Sequence, residues 1–399
     1  MPVSSDARSV FPERARASLP DRPLGIYVHV PFCATRCGYC DFNTYTAGEL
    51  GTSASPESWF GALAHELELA ATACAPDAPA ASTVFIGGGT PSLIGADMLG
   101  DVLGVIRRTL GLAEGAEVTT ESNPESPPPE FFGSLREAGF TRVSLGMQSV
   151  APHVLAVLDR THTPGRAVAA AREARAAGFE HINLDMIYGT PGETDADLAA
   201  TLDAVLDAGV DHVSAYALIV EEGTALARRV RKGVVPAPDD DVLAARYELI
   251  DERLSGAGLE WYEVSNWASG PDAQCRHNLG YWNGDNWWGA GPGAHGHLGG
   301  VRWWNAKHPA RYAESLASGA LPIAGREELT TDDQHLEQIM LQVRMRRGLD
   351  LSLLGAHELA VARACIDEGL GVEDGDRLVL TGRGRLLADA VVRRIASAG

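Results

Sequence analysis

From Leu24 to Leu218 the chain alternates short apolar runs with longer amphipathic stretches. The runs Gly25–Val30, Thr83–Ile86, Glu117–Glu121, Arg142–Met147, His181–Ile187 and His212–Leu218 are rich in β-branched and aromatic residues and read as strands. Between them, Glu57–Thr72, Leu93–Leu110, Pro128–Ala138, Pro164–Ala177 and Asp195–Ala208 carry apolar residues at helical spacing. The phrases REAGF (136–140), RAAGF (175–179) and LDAGV (206–210) repeat one device: a helix ends, glycine takes the C-cap, and an apolar residue opens the next strand. Six successive βα units predict a parallel sheet covered by helices. That rhythm fits both an open doubly wound sheet and a barrel. Functional-looking residues after every strand are what the C-terminal face of a barrel carries.

Beyond the sixth unit the pattern changes twice. A helix is expected over Asp240–Ser255, and residues 261–304 then hold seven of the eight tryptophans, with much glycine and His277, His295 and His297. From about Glu327 a helix over Asp333–Arg346, two short helices, the strand-like DRLVLT and a final helix resemble a winged-helix layout. At the other end, residues 1–21 read as a polar, mobile tail, and the first 20 have no apolar core of the kind a secretory signal needs.

Composition narrows the function classes. A formal net charge of −20, from 33 basic and 53 acidic side chains, argues against a general nucleic-acid binder, because phosphate binding needs a positive field. A hydrophobic fraction of 45% is that of an ordinary globular protein. No run reaches the ~18 apolar residues of a membrane span. Six cysteines in no paired framework fit a reducing cytoplasm.

Three of those cysteines, Cys33, Cys37 and Cys40, are spaced C-x3-C-x2-C directly after the first strand, where Pro31 ends it. A disulfide would leave one over. Three thiolates suit an iron–sulfur cube with one iron lacking a protein ligand, whereas zinc would want a fourth thiolate or imidazole and only His29 is near. Zinc, or three unrelated buried cysteines, stays open on spacing alone. With Tyr39 before the last cysteine, the loop resembles the cluster loop of the radical S-adenosylmethionine (SAM) superfamily. That resemblance implies a [4Fe–4S] cluster on Cys33, Cys37 and Cys40, with SAM chelating the fourth iron and, on reduction, yielding a deoxyadenosyl radical. It also decides the fold expectation: an α/β chain with a partial six-stranded (βα)6 barrel at residues 22–232, a Trp/Gly-rich extension at 233–325, and a mostly helical winged-helix-like domain at 326–399.

The residues after the other strands take roles from the same resemblance. Gly88, Gly89 and Thr90, in GGGTP, match the glycine motif that holds the methionine amino group; alone, they would read as a tight βα turn. Glu121, at the end of the third strand, resembles the acidic SAM contact of the haem-related subgroup. Gln148, Arg160, Asp185 and Ala217 follow in order, a carboxylate suiting ribose hydroxyls and a guanidinium the SAM carboxylate. Tyr27 matches a SAM-contacting tyrosine six residues before the first cysteine, and Tyr39 could stack near the adenine. Each taken singly is as readily a cap, a core residue or a surface ion pair.

The second constellation is Cys275-Arg276-His277-Asn278-Leu279-Gly280-Tyr281-Trp282. Imidazole is a common axial ligand of haem iron and aromatic side chains suit a flat macrocycle, although a lone histidine among tryptophans is more often structural. HNLGYW resembles the HNxxYW motif of the HemW-type haem chaperones, which makes His277 the expected haem ligand, with Cys275, His295 and His297 as alternatives. The related oxygen-independent coproporphyrinogen III dehydrogenases have a fourth cysteine two positions after the third, where this chain has Phe42, and a longer segment ahead of the first strand. The resemblance therefore implies a cytoplasmic haem chaperone that holds a cluster and SAM, with no catalytic residue assigned, and delivers haem to acceptor proteins. Peripheral association with a membrane is compatible with that role, though no basic or amphipathic anchor is evident. Radical decarboxylation of a porphyrinogen propionate is the competing expectation.

Overall fold

The computed structural model describes residues 10–51 and 54–398. Its centre is a run of six parallel strands in sequential order: β1 (Leu24–Val30), β2 (Ala81–Gly88), β3 (Leu112–Ser122), β4 (Arg142–Gln148), β5 (His181–Tyr188) and β6 (His212–Ala217). Every strand expected from the pattern is present, β1 to β5 longer than the apolar run alone and β6 one residue shorter. The helices between them follow local rules. Helix Pro56–Cys74 starts with Ser55 accepting from the Ser58 N–H and proline in its first turn. Helix Phe131–Ala138 ends on Gly139 at φ 104°, with the Gly139 and Phe140 N–H groups both turned back to the Leu135 carbonyl.

The six strands have two unlike faces. In β4, β5 and β6 the residues Val143, Leu145, Ile182, Leu184, Met186, Val213 and Ala215 are buried in the main core. The alternate positions, Arg142, Ser144, Asn183, Asp185, His212 and Ser214, turn to the opposite side and line one cavity, together with Tyr27 of β1, Phe85 of β2 and Glu121 of β3. All six strands thus contribute to one concave polar surface. The sheet stays open, because β1 has further partners on its outer edge.

Those partners come from the Trp/Gly-rich region, which does not stand apart as the sequence suggested. β7 (Glu260–Glu263) and β8 (Asn266–Ala268) extend the sheet antiparallel beyond β6. β9 (Asn286–Ala290) pairs parallel with β1, and β10 (His295–Leu298), β11 (Val301–Asn305) and β12 (Ile323–Glu328) continue antiparallel. Trp267, Trp288 and Trp303 are fully buried in the same core as the six strands. They are packing residues.

The N-terminal stretch also departs from expectation. Residues 1–9 of the expected tail lie outside the described residues, but from Val10 on the chain is packed. A short helix, Glu13–Ala17, buries Ala15, and Phe11 and Leu19 on either side of it are buried in the same core. Phe11 meets the rings of Trp303 and Trp288 edge-on at 4.7 and 5.7 Å.

The C-terminal portion has its own hydrophobic cluster around Ile339, Val343, Leu349, Ala362, Leu378, Val391 and Ile395. Helices Thr331–Gln342, Ala356–Asp367 and Ala388–Ala396 surround a three-stranded sheet of β13 (Leu349–Asp350), β14 (Gly371–Asp374) and β15 (Arg377–Leu380), in the order β13-β15-β14. Among the described residues no helix is long and apolar enough to cross a membrane.

Candidate functional site

The loop after β1 is held from three sides. Cys33 N–H donates to the Tyr45 carbonyl at 3.0 Å, and Tyr45 N–H to the Pro31 carbonyl at 2.8 Å. From the β2 side, Gly89 N–H reaches the Val30 carbonyl and Thr90 N–H the Phe32 carbonyl, both at 2.8 Å. From the far side, Gly38 is bonded to the Leu158 carbonyl and to the Leu226 N–H. The glycines are required by contact: a Cβ on Gly89 would stand 2.4 Å from the Phe32 carbonyl oxygen and 3.0 Å from Cys33 Sγ. Gly88, at φ 113°, has its N–H donating to Glu121 Oε2 at 3.0 Å.

Cys33, Cys37 and Cys40 are free and half-buried, and close enough that each thiolate would bias its neighbours. Burial pushes the Cys33 thiol up and the Cys40 thiol up to about 11. Thr90 Oγ1 approaches Cys33 Sγ at 3.8 Å, and the Arg160 guanidinium donates to Cys37 Sγ at 3.3 Å and to the Gly146 carbonyl at 3.2 Å. Among the described residues no three Cys, His, Asp or Glu side chains gather tightly enough for a single metal ion. Three free thiols on one short loop, near enough to influence one another and backed by the glycine turn and the Arg160 guanidinium, are a donor set that fits a cluster with one corner left to another ligand. Cys74, Cys275 and Cys365 are buried elsewhere, the first two held up to about 12 by burial.

Most other expected site residues converge on this loop or on the cavity below it. Arg160 has its Nε buried without a partner. Burial opposes its charge, but Tyr39, Cys37 and Asp185 outweigh that and hold its pKa above the ordinary value. Tyr39 packs on a small apolar cluster with Val154, Leu158 and Leu226 while its hydroxyl lies near Arg160. Gln148 sits at φ 67° on a bulge of β4, a conformation that a non-glycine residue rarely adopts without a positional reason. Tyr27 hydroxyl donates to His29 Nδ1 at 3.0 Å, and His29 Nε2–H donates to the Asn43 carbonyl. Ala217 ends β6 against the core and is not among the residues lining the cavity.

That central cavity is small, about 140 Å³. Asp185 accepts from Ser144 Oγ at 2.9 Å and from Asn183 Nδ2 at 2.7 Å. Asn183 Oδ1 in turn accepts from His212 Nδ1–H and Ser214 Oγ, and His212 Nε2 accepts from the Tyr262 hydroxyl at 2.7 Å. Arg142 Nη2 and Thr119 Oγ1, also lining the cavity, are buried without partners, and such atoms in a native fold mark a place for a ligand or ordered water. The sequence reading missed Arg142, Ser144, Asn183, His212 and Ser214. The signal was there: a parallel strand covered on both faces reads as continuously apolar, whereas RVSLGMQ, HINLDMIY and HVSAYA alternate polar with apolar.

Glu121 is half-buried with one acceptor contact, and desolvation, with Asp185 nearby, lifts its pKa from 4.5 to about 8. A carboxyl with a raised folded-state pKa keeps a proton that the unfolded chain has released. The stability it contributes is present below about pH 4.5 and is lost as pH rises through about 8. In the cofactor-free protein, Glu121→Gln, which preserves the acceptor for Gly88 N–H, should therefore gain in Tm over the parent progressively from pH 5 to 8. Parallel Tm–pH curves for the two proteins would show that Glu121 ionises freely.

His277, the expected haem ligand, is 3% exposed. Its Nδ1 is bonded to Thr83 Oγ1 and its Nε2 to the Tyr281 hydroxyl, both at 2.8 Å. Its ring stacks on Phe85 at 5.4 Å, and burial lowers its pKa to about 3. Helix Arg276–Asn283 is locked at its start by Glu117 of β3, which accepts from the N–H groups of Arg276 and His277 at 3.0 and 2.9 Å and from the Cys275 thiol. HNLGYW therefore fastens a helix under β2 and β3, and neither His277 nor Cys275 offers a free ligand atom.

A second, larger hollow adjoins the first. A groove of about 510 Å³ shares Tyr27 and Tyr281 with the central cavity and runs out past Phe42 and Trp287 to helix Thr331–Gln342.

A cysteine loop with C-x3-C-x2-C spacing, packed on a glycine turn at the C-terminal ends of six parallel strands, defines a radical SAM protein. The model of the radical SAM superfamily matches residues 27–205, and that of the HemN C-terminal domain matches residues 329–387. The chain is 63% identical over 379 residues to the haem chaperone HemW of Mycobacterium tuberculosis, covering 95% of this chain and 96% of that one. It is 32% identical over 375 residues to the haem chaperone HemW of Bacillus subtilis, covering 92% and 97%. The solved structure of coproporphyrinogen III oxidase (HemN) from Escherichia coli, a radical SAM enzyme, superposes with a TM-score of 0.81 over 98% of this chain and 93% of that one, at 23% identity, which establishes a shared fold. The chain belongs to the HemW haem-chaperone family of the radical SAM superfamily.

Proposed function

We propose that this protein binds haem and passes it to acceptor proteins, with a [4Fe–4S] cluster on Cys33, Cys37 and Cys40 and SAM at the open corner. The cluster, when bound, supplies an electron donor and a chelation site for SAM. The chain's own residues position the ligand. Gly88, Gly89 and Thr90 offer backbone and hydroxyl groups beside Cys33, and Arg160 sets a cation between Cys37 and the carbonyl of Gly146. Tyr27, Glu121 and Asp185 border the polar cavity beneath. Tyr39, Gln148 and Ala217 complete the surroundings at the ends of the strands.

The observation that carries the chaperone reading is the contrast between the two hollows. The polar cavity below the cluster loop has about 140 Å³, which leaves no room for a tetrapyrrole beside the SAM contacts. The adjoining groove, about 510 Å³, suits a flat apolar ligand and lies to one side of the cluster loop. Phe42 stands where the dehydrogenases resembled here have a fourth cysteine; it is 59% exposed and lines that groove.

The test is an anaerobic titration of the reconstituted protein with haem, with and without SAM, followed by the Soret band. Saturation at one haem per chain is expected. In parallel, coproporphyrinogen III with SAM and a reductant should release no carbon dioxide; turnover there would replace the chaperone reading by decarboxylation.

A further inference from the structure

The groove is built from two parts of the chain. One side comes from the sheet and its loops, with Trp287 of β9, Phe42 of the cysteine loop and Ala294 ahead of β10, and the other from helix Thr331–Gln342, with Met340 and Leu341. These side chains are apolar, beside the ion-paired Arg302 and Glu337, and they leave an aromatic ring open to solvent at Phe42. An apolar hollow of this size beside the cluster loop has the form of a ligand site.

Three histidines border it, His29, His295 and His297, and His277 lies behind Tyr281. Iron ligation needs an imidazole nitrogen with its lone pair available. His29 uses one nitrogen to accept from Tyr27 and the other to donate to the Asn43 carbonyl. His297 donates through Nδ1 to the Asp285 carbonyl at 3.0 Å and accepts the Gly300 N–H through Nε2 at 3.1 Å. His277 is bonded at both nitrogens. Among the described residues His295 has no hydrogen bond or ion pair to either ring nitrogen, although its ring is held nearly parallel to that of Trp304, 6.0 Å away at 29°.

We infer that haem lies in this groove between the sheet and the C-terminal helix, with His295, and not His277, as its axial ligand. The inference rests on the haem-binding reading above and adds its location and ligand. Partial burial and the neighbouring Lys307 lower the His295 pKa, so the imidazole is neutral at neutral pH and competent to ligate. Lys307 is exposed and has no ion-pair partner among the described residues, which leaves a cation at that end for a propionate carboxylate. Because Met340 and Leu341 belong to the C-terminal portion, bound haem would bridge both cores, and a shift of that helix would open or close the seat.

The experiment is a haemin titration of the anaerobically reconstituted holoprotein and three variants, reading the Soret position, the low-spin electron paramagnetic resonance signal and the affinity. His295→Ala should weaken binding by at least about tenfold and change the Soret position, since loss of a coordinating contact costs at least this much. Leu341→Asp should weaken binding similarly with the ligand-field signature kept. His277→Phe should leave the haem spectrum in place. Wild-type uptake that is indifferent to both His295→Ala and Leu341→Asp would sink this inference alone. A wild-type protein that takes up no haem would sink the functional reading and this one with it. The iron–sulfur absorbance of each variant reports whether the fold survived.

Discussion

Alanine at Cys33, Cys37 or Cys40 is expected to abolish the iron–sulfur absorbance of the reconstituted protein, each substitution alone being sufficient. The loop has three free thiols, and among the described residues no fourth protein donor gathers with them. With one removed, two corners of a cube lack a protein ligand, and the thiolate pair that remains holds a cluster too weakly to survive desalting. The effect should be all-or-none in iron content, with circular dichroism unchanged, because the loop is fixed by backbone bonds from Tyr45, Gly89, Thr90 and Leu226 that do not involve the sulfurs. Alanine at Cys74 or Cys365 should leave the cluster intact: both are packed in hydrophobic cores, Cys365 in that of the C-terminal portion. Loss of iron on Cys74→Ala would refute a three-thiolate site.

Removal of the Glu117 carboxylate should cost the protein a large part of its stability. Glu117 is 5% exposed and accepts two backbone N–H groups at the start of helix Arg276–Asn283, where the helix dipole favours negative charge. Glu117→Ala leaves both donors and the Cys275 thiol without their acceptor inside the core. At roughly 1.5–3 kcal/mol for each hydrogen bond to a charged group, the expected cost is on the order of 3 kcal/mol or more. Urea denaturation should show a lower midpoint at unchanged slope. Glu117→Gln should recover only part, because its amide nitrogen would face a backbone donor. A midpoint shift worth less than about 1 kcal/mol would mean that water replaces the carboxylate and that the helix is not capped in the way described.

The division between what the chain spells out and what folding decides follows from the range over which each interaction acts. Local spacing determined the six βα units, because strand period, helix period and glycine caps are properties of a few adjacent residues; Gly139 lies in the left-handed conformation that REAGF implied. Spacing also determined the cluster loop, since three cysteines in eight residues are close in any fold. Tertiary structure alone decided the rest. Trp261, Trp267, Trp288 and Trp303 went to the core, as the strands carrying them extend both edges of one sheet. Phe11 became a core residue because a tryptophan pair lay opposite it. His277, the histidine that the motif favoured, lost both nitrogens to Thr83 and Tyr281, more than 190 and only 4 positions away. His295 kept its nitrogens free beside a groove whose far wall is a helix from the other core. Which polar atoms are already satisfied depends on partners distant in sequence, and that accounting, more than residue type, separates a structural histidine from one able to bind a ligand.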